Sequence, residues 1–194
     1  WQDGCDSARF PSAWATCRAG VFELAGDQRF RLPYLYRSGL RRDIPKADLL
    51  RWNNLAADYL LVPKDRTLSV EDAYYCVLHR VVAERFEEAV RDALFFVGAA
   101  FHRRHKEVLL YLNDRYTWLL MDAILDAHVT LRLRIRWAAV RLLVSEFLKE
   151  GDERQERMER LLSLLEAAST SGLQAPEVTT AWMQVLSRAA HDGN

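Results

Sequence analysis

The chain has 194 residues and a mass of 22.5 kDa; half of it is hydrophobic and 28% is charged, the composition of one globular unit rather than a disordered chain. Its 27 basic and 27 acidic residues cancel, which argues against a dedicated nucleic-acid domain, since those are usually basic. Three cysteines (Cys5, Cys17, Cys76) without a C-x-x-C pair argue against a disulfide framework or zinc ribbon; they fit a reducing, intracellular and most simply cytoplasmic setting.

Residues 1–45 carry three of the five prolines (Pro11, Pro33, Pro45) and four of the eight glycines, a density that breaks regular elements into short pieces. They also carry Trp1, Phe10, Trp14, Phe22, Tyr34 and Tyr36, too many aromatics for a free tail. The segment is expected to be an irregular docking arm with short helices near 11–19 and 33–40, laid on the helical body or on a partner. The chain starts at Trp1, so a targeting segment ahead of it stays open.

Residues 46–194 read as an all-helical domain. In KADLLRWNNLAADYLL, residues 46–61, the apolar positions Leu49, Leu50, Trp52, Leu55, Ala56, Tyr59 and Leu60 follow helical spacing, and Pro63 ends the element. Ser69 and Asp72 have the spacing of a capping box. Behind them an apolar period runs from Val70 to about Leu112, too long for one ordinary helix, so a break is expected at Gly98 or within 83–88. Asn113-Asp114 reads as a turn and 115–128 as a short amphipathic helix. Gly151 then closes the next helix, Asp152 caps a highly charged one, and Gly172 ends it. Pro176 opens a last helix with Val178, Ala181, Trp182, Val185 and Leu186 inward. The sum is about seven helices, either a bundle or a short α-solenoid in the size range of armadillo- and HEAT-like helix pairs.

The stretch HVTLRLRIRWAAVRLLVSEFLKEG, 128–151, alternates like a strand through Leu131–Arg136, yet no other segment supplies a partner strand. As a helix it gathers Leu131, Ile135, Ala138, Ala139 and Leu142 on one face. Leu133, Trp137, Val140, Val144, Phe147 and Leu148 gather on the opposite face. Arg132 and Arg136 then lie on one flank, Arg134 and Arg141 on the other. Such a helix must be covered on both sides, with its arginines leaving through the seams.

Chemistry is sparse. No phosphate-loop, dinucleotide or nucleophile-elbow motif occurs, so no catalytic residue and no cofactor are expected. His102 and His105 are helix neighbours, but no carboxylate completes a metal-ligand spacing, so no metal site is expected. His79 reads as a partly buried histidine and Cys76 as a small buried hydrophobe. The basic run His102, Arg103, Arg104, His105 and Lys106, with Arg132, Arg134, Arg136 and Arg141, makes the candidate surface for an anion or partner. The expected function is a non-catalytic protein–protein interaction domain, a scaffold or adaptor subunit of a larger assembly whose partners are other protein subunits. The alternative is a helical domain that binds RNA, phosphate or an acidic protein through 102–106 and 132–141. No run is apolar and long enough to span a membrane.

Overall fold

The computed structural model describes the backbone of residues 23–24, 30–31, 45–61, 69–149 and 151–192, and the side chains of 45–61, 69–149 and 153–187. The chain is all-helical over these residues. Its eight helices are α1 (Lys46–Leu61), α2 (Val70–Val82), α3 (Phe86–His102), α4 (Lys106–Leu119), α5 (Asp122–His128), α6 (Leu131–Leu148), α7 (Gly151–Thr170) and α8 (Pro176–Asp192). Two two-residue strands, β1 (Glu23–Leu24) and β2 (Phe30–Arg31), pair antiparallel and build nothing larger. The helices expected near 11–19 and 33–40, Cys5, Cys17 and the arm aromatics Trp1, Phe10, Trp14, Phe22, Tyr34 and Tyr36 lie outside the described residues.

The helices stack in layers. α1 lies on α2, α2 on α3 and α4, those two on α6, and α6 on α7 and α8. Two apolar clusters result, and α6 is the wall between them. Trp137, Val144 and Leu148, with Leu133, Val140 and Phe147 beside them, face the cluster formed by α1–α5. Ile135, Ala138 and Leu142, with Leu131 and Ala139, face the cluster shared with α7 and α8. The division is the one the helical wheel requires, residue for residue. The strand-like alternation is therefore a helix buried on both sides.

The long apolar stretch breaks twice. The first break falls at Ala83–Arg85, inside the expected window; the second falls at Arg103–His105. Gly98 sits in mid-helix α3 instead. Both breaks use one device: a residue in the left-handed conformation, Glu84 (φ 58°) or Arg104 (φ 55°). Two reverse hydrogen bonds close each end, Glu84 N to Val81 O and Arg85 N to Arg80 O at the first, Arg104 N to Phe101 O and His105 N to Ala100 O at the second. Lys149 (φ 62°) closes α6 in the same conformation, so the stop lies two residues before Gly151, which instead begins α7. Among the described residues, only Gly172 (φ 68°) supplies the glycine that such a position favours.

Asn113-Asp114 is no turn. α4 runs through it, because Leu109, Leu112, Asn113 and Tyr116 form one buried stripe against the core, and Tyr116 donates its hydroxyl to Ala73 O at 3.0 Å. Packing outweighs the local preference of Asn and Asp for turns. The break comes at Leu120–Met121 instead, which gives eight helices rather than about seven. Ser69 and Asp72 do form the capping box, at 3.0 and 3.3 Å. Leu186, expected inward, is exposed on α8.

α1 is tied down by polar side chains. Arg80, almost wholly buried on α2, donates from Nη1 to Asn54 at 2.5 Å and from Nη2 to Asp58 at 2.6 Å. Its Nε reaches Asp92 of α3 at 3.2 Å, and Nη1 lies 3.3 Å from Glu88. His79, half-buried as expected, meets Asn53 of α1 at 2.8 Å, so its bond reaches another helix rather than a sequence neighbour. Cys76 is buried beside Ala57 O and Asp92, and burial together with the neighbouring carboxylate pushes its thiol up to about 12.

Two measurements test this account. Arg104→Gly relieves the left-handed strain at an exposed turn and should stabilise the chain by about 0.5–1 kcal/mol in urea titrations. Arg80→Ala strands Asp92 and Glu88 and should cost about 3 kcal/mol at neutral pH. Burial holds the Asp92 carboxyl above its ordinary range even with Arg80 beside it. A raised folded pKa contributes stability below the unfolded value and loses it as pH rises through the folded one. Removing Arg80 enlarges that loss, so the Arg80→Ala penalty should shrink as pH falls through the carboxylate range. A penalty independent of pH would contradict this.

Candidate functional site

The basic residues singled out from the sequence do not form one surface. His102, Arg103, Arg104, His105 and Lys106 all lie exposed at the α3–α4 corner. Phe101 beside them packs edge-on against Phe147, with ring centroids 5.4 Å apart, so the corner sits by the last turn of α6. Arg132, Arg134 and Arg136 occupy the first turns of α6, roughly 20 Å away at the helical rise per residue. Arg103 and His105 border a shallow groove of about 430 Å³ whose walls are mainly apolar, among them Phe95, Phe96 and Val108.

The four arginines of α6 divide by flank. Arg132 reaches Glu177 of α8 at 2.6 Å, on the side where Arg136 is exposed. On the other flank, Arg134 donates to Asp126 at 2.6 Å, and Arg160 of α7 donates to the same carboxylate at 2.5 Å. Burial works to raise the Asp126 carboxyl, but these two guanidiniums outweigh it and hold it below its ordinary value. One aspartate thus ties α5 to α6 and α7.

That second flank opens into a cleft of about 390 Å³ between α4–α5 on one side and α7 on the other, with α6 as its floor. Arg134, Arg141, Arg157 and Arg160 line it against the carboxylates Asp122, Glu153 and Glu156. Arg157, buried, pairs with Glu153, and Arg160 Nε lies 3.3 Å from Asp122. Arg141 differs. It donates from Nη2 to the Thr117 hydroxyl at 2.9 Å and meets no carboxylate among the described residues. Burial, then the nearby Arg157, pull its guanidinium below its ordinary pKa. The Nε groups of Arg134 and Arg141 and the indole N–H of Trp137 are shielded from solvent and meet no acceptor in the protein. Sequence reading found Arg134 and Arg141. It missed Arg157 and Arg160, which look like ordinary members of a charged helix until α7 lies beside α6.

A second arrangement lies at the ends of the stack. α1 is built inside out. Asn53, Asn54 and Asp58 turn towards α2 and bond His79 and Arg80, while Trp52 (53% exposed), Leu55 and Tyr59 (61%) form a row on the far side. At the other end, Met183 (66%) and Leu186 (63%) stand outward on α8.

His79, His102 and His128 lie apart. His79 faces α1, and His128 stacks on Phe86 at 4.7 Å, at the first residue of α3. His102 is the last residue of α3, about 24 Å further along the helix. No group of histidines, cysteines and carboxylates among the described residues has the arrangement of a metal site, and no described helix is long and apolar enough to cross a membrane. Comparison with protein families, with curated proteins and with solved structures finds no match for the chain.

Asp126→Asn should loosen the tie between α5, α6 and α7. The carboxylate is partly exposed, so the loss at pH 7 should be only about 0.5 kcal/mol. Its folded pKa is depressed, so its contribution exists above the unfolded value and is lost as pH falls through the folded one. Wild type and variant should therefore converge in stability only at a pH below the ordinary aspartate range, as read by thermal unfolding.

Proposed function

We propose that the chain is a non-catalytic interaction domain, a helical scaffold or adaptor subunit that extends its stack onto partner proteins. The inside-out α1 carries this reading. A stack of helices is stabilised layer by layer, and a terminal layer that faces water needs a polar outer surface. Among the described residues, both end helices of the stack turn apolar side chains outward. Trp52, Leu55 and Tyr59 stand at i, i+3 and i+7, the spacing by which one helix offers a ridge to another. Tryptophan and tyrosine are also the residues that most often dominate binding energy at protein interfaces. The partner that fits is a protein presenting an apolar helix face or groove with an uncharged centre, because Arg51 and Asp48 near the row supply both signs of charge at its edges.

The phosphate-binding alternative finds its support at one place, the cleft beside Arg141. The corner at 102–106 and the first turns of α6 lie roughly 20 Å apart, too far for one small anion to bridge.

The test is Trp52→Ser in the full chain. Stability should change by less than about 0.5 kcal/mol, as expected for surface sites. Quantitative affinity capture from native extract should lose the specific partner by about 30-fold or more, matching about 2 kcal/mol at a binding hot spot. Identical capture by wild type and variant would remove the interaction reading. A large fall in stability would instead mean that another part of the same chain covers the row.

A further inference from the structure

The cleft beside α6 has a feature that interhelical salt bridges do not explain. Arg134, Arg157 and Arg160 each have a carboxylate partner. Arg141, set among them and largely withdrawn from solvent, has only the Thr117 hydroxyl. Asp122, Glu153 and Glu156 act on it only through space, against burial and the neighbouring Arg157, and a desolvated cation with no anion in contact costs free energy. Arg134, Trp137 and Arg141 lie on successive turns of one flank, within about 10 Å along the helix. Each holds an N–H group with neither solvent nor a protein acceptor. All the unmet groups in this wall are donors.

We propose that this cleft binds a small phosphomonoester, its phosphate held by Arg141 with Arg134 and Trp137 and its apolar body lying on Met121, Leu125 and Leu164. A phosphate offers three oxygens to donors that approach from several directions, whereas a carboxylate offers two in one plane, and planar guanidiniums suit either oxyanion. Three sets of N–H groups favour the former. The cleft is far larger than a bare phosphate, and Met121, Leu125, Ala138 and Leu164 make one part of its wall apolar, so it takes a ligand with a hydrophobic portion. The binding is modest: one unpaired cation, with carboxylates also in the wall, sets affinity near the millimolar to micromolar range.

The experiment follows the indole N–H resonance of Trp137, identified with Trp137→Phe, in the full chain at constant ionic strength. Phenyl phosphate, inorganic phosphate and benzoate are the probes. Phenyl phosphate should give a saturable shift and bind about tenfold more tightly than either of the others. Arg141→Gln should weaken it by at least about tenfold with the melting temperature nearly unchanged, and Arg141→Lys should fall between wild type and Gln. If Arg141→Gln fails to fold, the Lys variant alone decides: affinity equal to wild type overturns the proposal. So does the absence of a saturable shift at about 10 mM phenyl phosphate. Equal affinity for inorganic phosphate and phenyl phosphate overturns the phosphomonoester assignment, and tighter binding of benzoate overturns the choice of phosphate.

Discussion

The structure depends on α6 having no wet face. Ile135 and Leu142 on one side, Trp137 and Val144 on the other, are all buried, so the helix is stable only with a layer of helices on each side. Each large apolar side chain removed from water is worth about 1.5–3 kcal/mol. Leaving either face uncovered would therefore expose several such contributions at once. The order of layers follows: α3–α5 must meet one face, α7 and α8 the other, and the two apolar clusters cannot merge because α6 stands between them.

The same requirement decides where its arginines go. A helix covered on two sides has only two narrow seams left, and long cationic side chains fill them because the stem is apolar and the head can reach outward. What each arginine then does is set by its neighbours. Arg132 finds Glu177, and Arg134 finds Asp126. Arg141, further along the second seam, meets a threonine hydroxyl and another arginine's side chain, so a seam that elsewhere is closed by ion pairs stays open there as a cleft. Identical residues in one pattern thus divide into interhelical ties and a guanidinium with no carboxylate in contact, through what the facing helices present.

What was legible in the sequence was whatever a single helix settles for itself. The two faces of α6, the capping box at Ser69, the end at Gly172 and the buried Cys76 depend on periodicity or on contacts three or four residues apart. Three kinds of feature were hidden. Glu84, Arg104 and Lys149 end helices in a conformation that favours glycine, and nothing in their side chains marks them; reverse hydrogen bonds and packing of the flanking helices hold them there. Asn113-Asp114 carries the composition of a turn but sits on a buried stripe. The cleft arises only when Thr117, Arg141 and Arg157, far apart in sequence, meet across three helices, and no local pattern reports such a meeting. Of the nine basic residues the sequence nominated, the structure gathers two, Arg134 and Arg141, into that cleft.

α1 shows how the ends differ from the middle. A terminal helix with three large apolar residues would ordinarily bury them and leave its asparagines in water. Here the arrangement is reversed, and the inner contact rests on Ala57, Leu60 and Leu61 together with the hydrogen bonds to Arg80 and His79. A buried polar contact is less stabilising than an apolar one of the same size, but its geometry is more demanding. Arg80 meets its partners only when Asn54 and Asp58 stand on the inner side, which fixes the rotation of α1 about its own axis. That rotation is what holds Trp52, Leu55 and Tyr59 outward, against their tendency to turn in. The polar inner face and the apolar outer row are therefore one feature: the first spends stability to present the second.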